Sequence, residues 1–422
     1  MKSVNTKSII LVILLMIAAA NRLKSQTNFV WGKQFGSDKD EYVLNHLTDQ
    51  NGNIYVAGKT TGTINGKNQG GNDGFLIKID NQGNTLWSRQ FGTSQEEDIQ
   101  WSAIDNEGNV YITGSTTGVL QDKNFGKEDV FVIKYTPQGE VEWSRQFGTD
   151  SIDVAKGIYV DPSGYVYITG FTGGIIGKSS MGKTDGFIMK LDPKGNLLFT
   201  YQYGTPLDDY SYAVTGDGNS EIYVCGSTWG DIAEKNKGFI DAFVGQFTTE
   251  GSPVKYTQFG SEGFDIAMNL LVDGEKNIYI GGTTSGNYGC EQIGEGDCFL
   301  VKIDKNGGME WFRQFGTKNN DGIRSIELNP NVSDNILVSG VLNLPPAHAF
   351  IRMYSKDGNL LWERNFVAEG KNGDTSGKDV SMDNNGNIYH LGLTGANVFG
   401  TLIGGHDVYL VKFELDKSFM NH

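Results

Sequence analysis

The chain has 422 residues, with 58 glycines, 8 prolines and a formal net charge of −15. Its short β-branched and aromatic runs broken by glycine suit strands and tight turns, so almost no helix is expected. No Lys/Arg-rich run follows the first few residues, which excludes the phosphate-neutralising surface of a nucleic-acid binder.

At the N-terminus, Lys2 and Lys7 precede an apolar run over residues 9–20 and then a polar stretch. A basic start, a short apolar core and small residues near its exit predict a secretory signal over residues 1–26, cleaved near Gln26; an uncleaved anchor is the alternative. No cysteine adjoins the run, so no lipid anchor is indicated, and no later stretch could cross a bilayer.

From there one unit recurs. Trp-Gly-Lys-Gln-Phe-Gly at Trp31 returns as Trp-Ser-Arg-Gln-Phe-Gly at Trp87 and Trp143, and in altered form at Phe199, Tyr256, Trp311 and Trp362. The starts are about 56 residues apart, about 51 before the last, and the tail is again one unit long, making seven. Each unit reads as four strands. An Asp/Glu-rich loop leads to an apolar first strand. An Asp-x-x-Gly-type turn precedes a second strand such as Ile54-Tyr-Val-Ala-Gly, and a Gly/Thr/Asn-rich loop a third such as Phe75-Leu-Ile-Lys. Another glycine turn leads to the Trp segment. A lone four-stranded meander cannot bury both faces, and radial stacking of such units makes propeller blades. Residues 27–422 are therefore expected to form one seven-bladed, all-β propeller of antiparallel blades. Trp31 to Phe35 supplies a fourth strand before the first full set and the last set stops at its third, so the N-terminal strand should close the ring.

These segments, with Asp-x-x-Gly-Asn-Val-Tyr-Val-x-Gly-x-Thr and Asp-x-Phe-x-x-Lys, resemble the bacterial SBBP β-propeller repeat family. The resemblance implies an exported propeller in the periplasm, at the cell surface or outside the cell, and brings no agreed catalytic residues.

Two acidic sets recur on one face: Asp73, Asp129, Asp185, Asp241, Asp297 and Asp407 before third strands, and Glu41, Glu97, Asp153, Asp209, Asp265 and Asp321 after the Phe-Gly segment. Repetition in nearly every blade points to staples that accept backbone N–H bonds; calcium or another hard cation is the alternative. No other cofactor is expected. Departures from the repeat are candidates for ligand contact. Trp101 should line the central channel, and Trp229 lies in a loop on the acidic face; either could stack on a sugar or anchor a partner, with local packing the blander account. His348 replaces a repeat Asp, His406 precedes Asp407, and His390, beside Tyr389, replaces a repeat Val; these could seat a metal or an acid–base pair, against simple degeneration of the repeat. The five repeat tryptophans are expected in the core. Cys290 and Cys298 bracket one loop and could form a disulfide, while Cys225 reads as a buried small hydrophobe. Nucleophile elbows, phosphate loops and dinucleotide fingerprints are lacking.

The reading is a monomeric, exported, non-enzymatic binding module for a protein or glycan, contacted through the loop-rich face or the channel. A carbohydrate-active enzyme, a polysaccharide lyase or hydrolase, is the alternative, and would have Trp229, His348 and His406 converging on one pocket. A purely architectural envelope component is the third.

Overall fold

The computed structural model describes residues 27–121, 123–288, 292–329, 331–368 and 373–420. Seven four-stranded antiparallel sheets form a ring. Blades 1 to 6 span residues 41–91, 97–147, 153–203, 209–259, 265–315 and 322–366. Blade 7 takes three strands from residues 375–415 and its outer strand from Thr27–Phe35, which pairs with Asp407–Leu415. The expected closure is therefore present. The N-terminal and C-terminal strands share one sheet, so the ring cannot open without breaking their ladder. A single 3-10 turn, Lys417–Phe419, is the helical content of the described residues.

Blades stack through apolar layers. Tyr55, Ala57 and Leu76 of blade 1 meet Ile99, Val110, Ile112 and Phe131 of blade 2, and comparable clusters fill the other seams. Each fully buried Val, Leu, Ile or Phe side chain among them contributes roughly 1.5–3 kcal/mol.

The repeated Trp-x-Arg-Gln-Phe-Gly segment works between blades. Trp87 Nε1 donates to Pro137 O at 3.3 Å and Arg89 Nε to Gly139 O at 2.9 Å, both on the neighbouring blade's last turn. The Trp87 ring covers Gly139, which has φ +79°, so the turn needs glycine both for its backbone and for the ring above it. Trp143 on Gly195 and Trp311 on Gly358 repeat the arrangement. The tryptophans were expected in the core, yet Trp31, Trp87 and Trp311 are only half-buried. Trp143 and Trp362 are buried. Cys225 is fully buried as expected. Cys298 is buried in the third strand of blade 5; Cys290, its expected partner, lies outside the described residues, as does the segment read as a signal. No helix of the described residues is long and apolar enough to cross a membrane.

Candidate functional site

The first strand of every blade lines the axis, and each carries a register shift of one residue. The extra residues are Leu44, Gln100, Lys156, Tyr212, Met268, Arg324 and Lys378, one per blade. A bulge re-aims the inserted side chain, and here all seven point inward around a cavity of about 250 Å³, together with Trp101. Trp101 therefore lines the channel as expected. Lys156 Nζ donates to Gln100 Oε1 at 2.9 Å, and Gln100 Nε2 to Asp98 Oδ2 at 2.6 Å. Asp98 also pairs with Lys59 at 2.5 Å. Burial first, and then the Arg324 guanidinium, lower Lys378 to about 8.

Towards the turn end the channel widens into a second cavity of about 330 Å³, reached by His46, Ser325, Glu327, Asp379 and Ser381. His46 Nε2 and Ser381 Oγ are 2.7 Å apart, and His46 Nδ1 lies 3.0 Å from Asp379 Oδ2. That oxygen already accepts the His46 backbone N–H at 2.8 Å, so the ring nitrogen sits off the line of a good hydrogen bond. Ser325 Oγ donates to the other Asp379 oxygen. Burial, with the Asp379 charge adding, raises Glu327 to about 8. Behind this row His390 is fully buried, with Nε2 2.9 Å from Ser339 Oγ, and burial pulls it down to about 3.

The loop face carries a third feature, an open cleft of about 1030 Å³ between blades 4 and 5. Phe239 and Phe264 stack there at 5.3 Å and 14° while 67% and 47% exposed. Asn236, Glu262, Asn287 and Gln292 supply polar groups beside them.

The residues read from the sequence as ligand candidates do not come together. Trp229 packs on Tyr210 at 5.4 Å on blade 4; His348 opens the third strand of blade 6; His406 meets Asp40 at 3.2 Å at the seam of blades 7 and 1. The convergence expected of the enzyme alternative is thus absent, because these positions belong to three different blades. Sequence reasoning missed the bulge ring, although six of its members stand three residues after the acidic position of their strand and Lys378 stands three after Thr375. It also missed Phe239, which stands where sibling units have Gly71, Lys127, Lys183 and Glu295.

The two acidic sets meet at the seams. Asp129 Oδ2 accepts the Phe125 N–H at 2.6 Å and the Gln146 amide at 2.8 Å. Across the seam Asp153 Oδ2 accepts the Thr149 N–H at 2.6 Å and its hydroxyl at 2.7 Å. The repeat Gln thus ties its own strand to the Asp. Among the described residues no three or more His, Cys, Asp or Glu gather as metal ligands.

The SBBP beta-propeller repeat model matches residues 30–64, 86–121 and 142–177. The chain is 25% identical over 289 residues to the regulatory protein FlaEY of Caulobacter vibrioides, covering 58% of this chain and 30% of that protein. It is also 25% identical over 202 residues to an uncharacterized WD repeat-containing protein of Acanthamoeba polyphaga mimivirus, covering 38% of this chain and 14% of that one. It therefore spans less than a third of either relative's length. Among solved structures, a polysaccharide lyase, an ulvan lyase, superposes with a TM-score of 0.52 at 13% identity, over 90% of this chain and 96% of that one. Repeat match and ring agree: the chain is a seven-bladed β-propeller, and three stretches of it match the SBBP beta-propeller repeat.

Proposed function

We propose that this propeller is a non-enzymatic binding module, exported to the periplasm, the cell surface or the medium, and that it meets a glycan or protein partner as a monomer through its loop face and the channel that opens there. The observation that carries the reading is the Phe239–Phe264 pair, two large rings left exposed in a cleft rimmed by amides, two carboxylates and two lysines. Exposed aromatic faces beside polar groups suit stacking on a sugar ring or anchoring a partner side chain. Export is supported by the apolar segment at residues 9–20 and its basic flank. The test is thermal unfolding against a panel of soluble glycans. A ligand that binds the folded state raises the midpoint, and Phe239→Ala and Phe264→Ala should each abolish that rise while leaving the unliganded midpoint nearly unchanged. A glycan shift that persists in both variants removes the cleft from the reading.

A second reading, a polysaccharide hydrolase or lyase, is favoured by His46 and Glu327, which reach the same cavity of the channel. It requires His46 to take a proton from water or from the sugar and the Glu327 carboxyl, raised by burial to about 8, to give one to the departing glycosidic oxygen, since glycan cleavage runs on a general acid and a general base. Product analysis on any glycan that shifts the midpoint decides it: release of shorter chains, lost in Glu327→Gln and His46→Gln, would make the protein an enzyme.

A further inference from the structure

We propose that the loop side of the central channel is a binding site for a small, multiply charged oxyanion, held by Arg324, Lys378 and Lys156. The proposal rests on the reading of the ring as a binding module and names a ligand class for its channel.

The three cations stand out against a chain of net charge −15. They reach the same cavity of about 250 Å³ because each is the bulge residue of its strand. Among the described residues, no carboxylate lies within ion-pair distance of any of the three; Lys156 bonds the neutral Gln100 amide, and Asp98 and Glu128 act on it only from farther away. Packing like charges into a partly desolvated space is unfavourable, and the lowered Lys378 reflects that cost. An anion would relieve it. Burial also lowers Lys156, in the same direction.

The chemistry of the groups narrows the ligand. Arg324 presents a planar fork suited to two oxygens of one carboxylate, sulfate or phosphate, while Lys156 and Lys378 act as point charges. Gln100 and Tyr212 add an amide and a hydroxyl that can orient the bound group. The volume lies below the roughly 300 Å³ at which pockets for drug-sized molecules begin. The ligand is therefore a small dianion, or the charged end of a longer chain threaded from the loop face, rather than a whole oligosaccharide.

The test is calorimetric titration and thermal unfolding of the full chain with sodium sulfate, sodium phosphate and sodium succinate at constant ionic strength, with glucose as a neutral control. Saturable binding of one anion per chain is expected for at least one of the three, and which one separates inorganic from carboxylate ligands. Arg324→Gln and Lys378→Gln should each weaken it by about tenfold, the usual effect of losing one charge-assisted hydrogen bond. Without anion, Lys378→Gln should unfold at or above the wild-type temperature, because it removes a cation that burial disfavours; this reports on the site even if Arg324→Gln folds poorly. Absence of saturable binding, or binding unchanged in Lys378→Gln, overturns the proposal. The anion is scored on Arg324 and Lys378 and the glycan on Phe239 and Phe264, so either reading can fail without the other.

Discussion

At six of the seven seams a buried Asp faces a buried Asp or Glu of the next blade; at the seam of blades 6 and 7 His348 and Thr375 stand in their places, so both members of the pair are replaced together. The two carboxylates act as a unit around the glycine of the Phe-Gly segment. A Cβ on Gly92 would lie 2.4 Å from Asp73 Oδ1 and 2.8 Å from Glu97 Oε2. Both groups are pinned by N–H and hydroxyl donors, so Gly92→Ala should cost about 1–3 kcal/mol in urea denaturation, the usual range for overpacking. Burial raises Glu41, Asp129, Asp209, Asp265 and Asp321, with the facing carboxylate adding to it. A carboxyl raised in the folded state binds more protons there than in the unfolded chain. These groups therefore stabilise as pH falls from neutral towards the ordinary carboxylate range, and that contribution is lost as pH rises. Asp209→Asn and Asp265→Asn should flatten this part of the pH profile. His390 has the opposite sign. Lowered to about 3, it loses stability as pH falls below the ordinary imidazole range, and His390→Val should remove that loss, a difference growing by about 1.4 kcal/mol per pH unit below about 6.5. We propose that the acidic pairs are staples rather than ion sites: neither calcium nor chelator should move the unfolding midpoint, and a rise with calcium would assign an ion to them.

Among the strands, the one at Thr27–Phe35 carries more than its length suggests. It completes the sheet of blade 7, Trp31 Nε1 donates to Asn81 O at 3.0 Å on blade 1, and Gln34 Nε2 donates to Asp407 Oδ2 at 3.1 Å. It thus locks the first and last parts of the chain and covers an edge that would otherwise offer unpaired backbone groups. Deleting residues 27–35 should leave the strand Asp407–Leu415 as a free edge and give self-association in light scattering; a monomer with unchanged unfolding midpoint would remove the clasp from the account. The innermost strands teach a different lesson. Their apolar alternation was legible, but the bulge in each was not, because one extra residue changes no composition and leaves the flanking pattern intact on either side.

For the whole molecule, closure is the dominant constraint. Each blade buries its faces only against two neighbours, so removal of one interior unit, residues 153–208, should prevent the remaining six from closing at the same stagger; a soluble, monomeric six-unit variant in gel filtration would contradict this. The sequence by itself determined the unit, the number of blades, the four strands in each and the strand that closes the ring. All of these follow from period, alternation and turn residues, which are local. It also marked the acidic positions and the departures from the repeat, though not their use. Only the tertiary structure decided that Asp129 and Asp153 face each other across a seam, that Trp87 covers the neighbour's Gly139, and that Trp229, His348 and His406 stay apart. It alone brought Lys156, Arg324 and Lys378 from blades 3, 6 and 7 to one cavity. The reason is geometric: contact around a ring joins residues one or more repeats apart, and their direction depends on bulges and on the angle between blades, quantities that no local pattern of residues encodes.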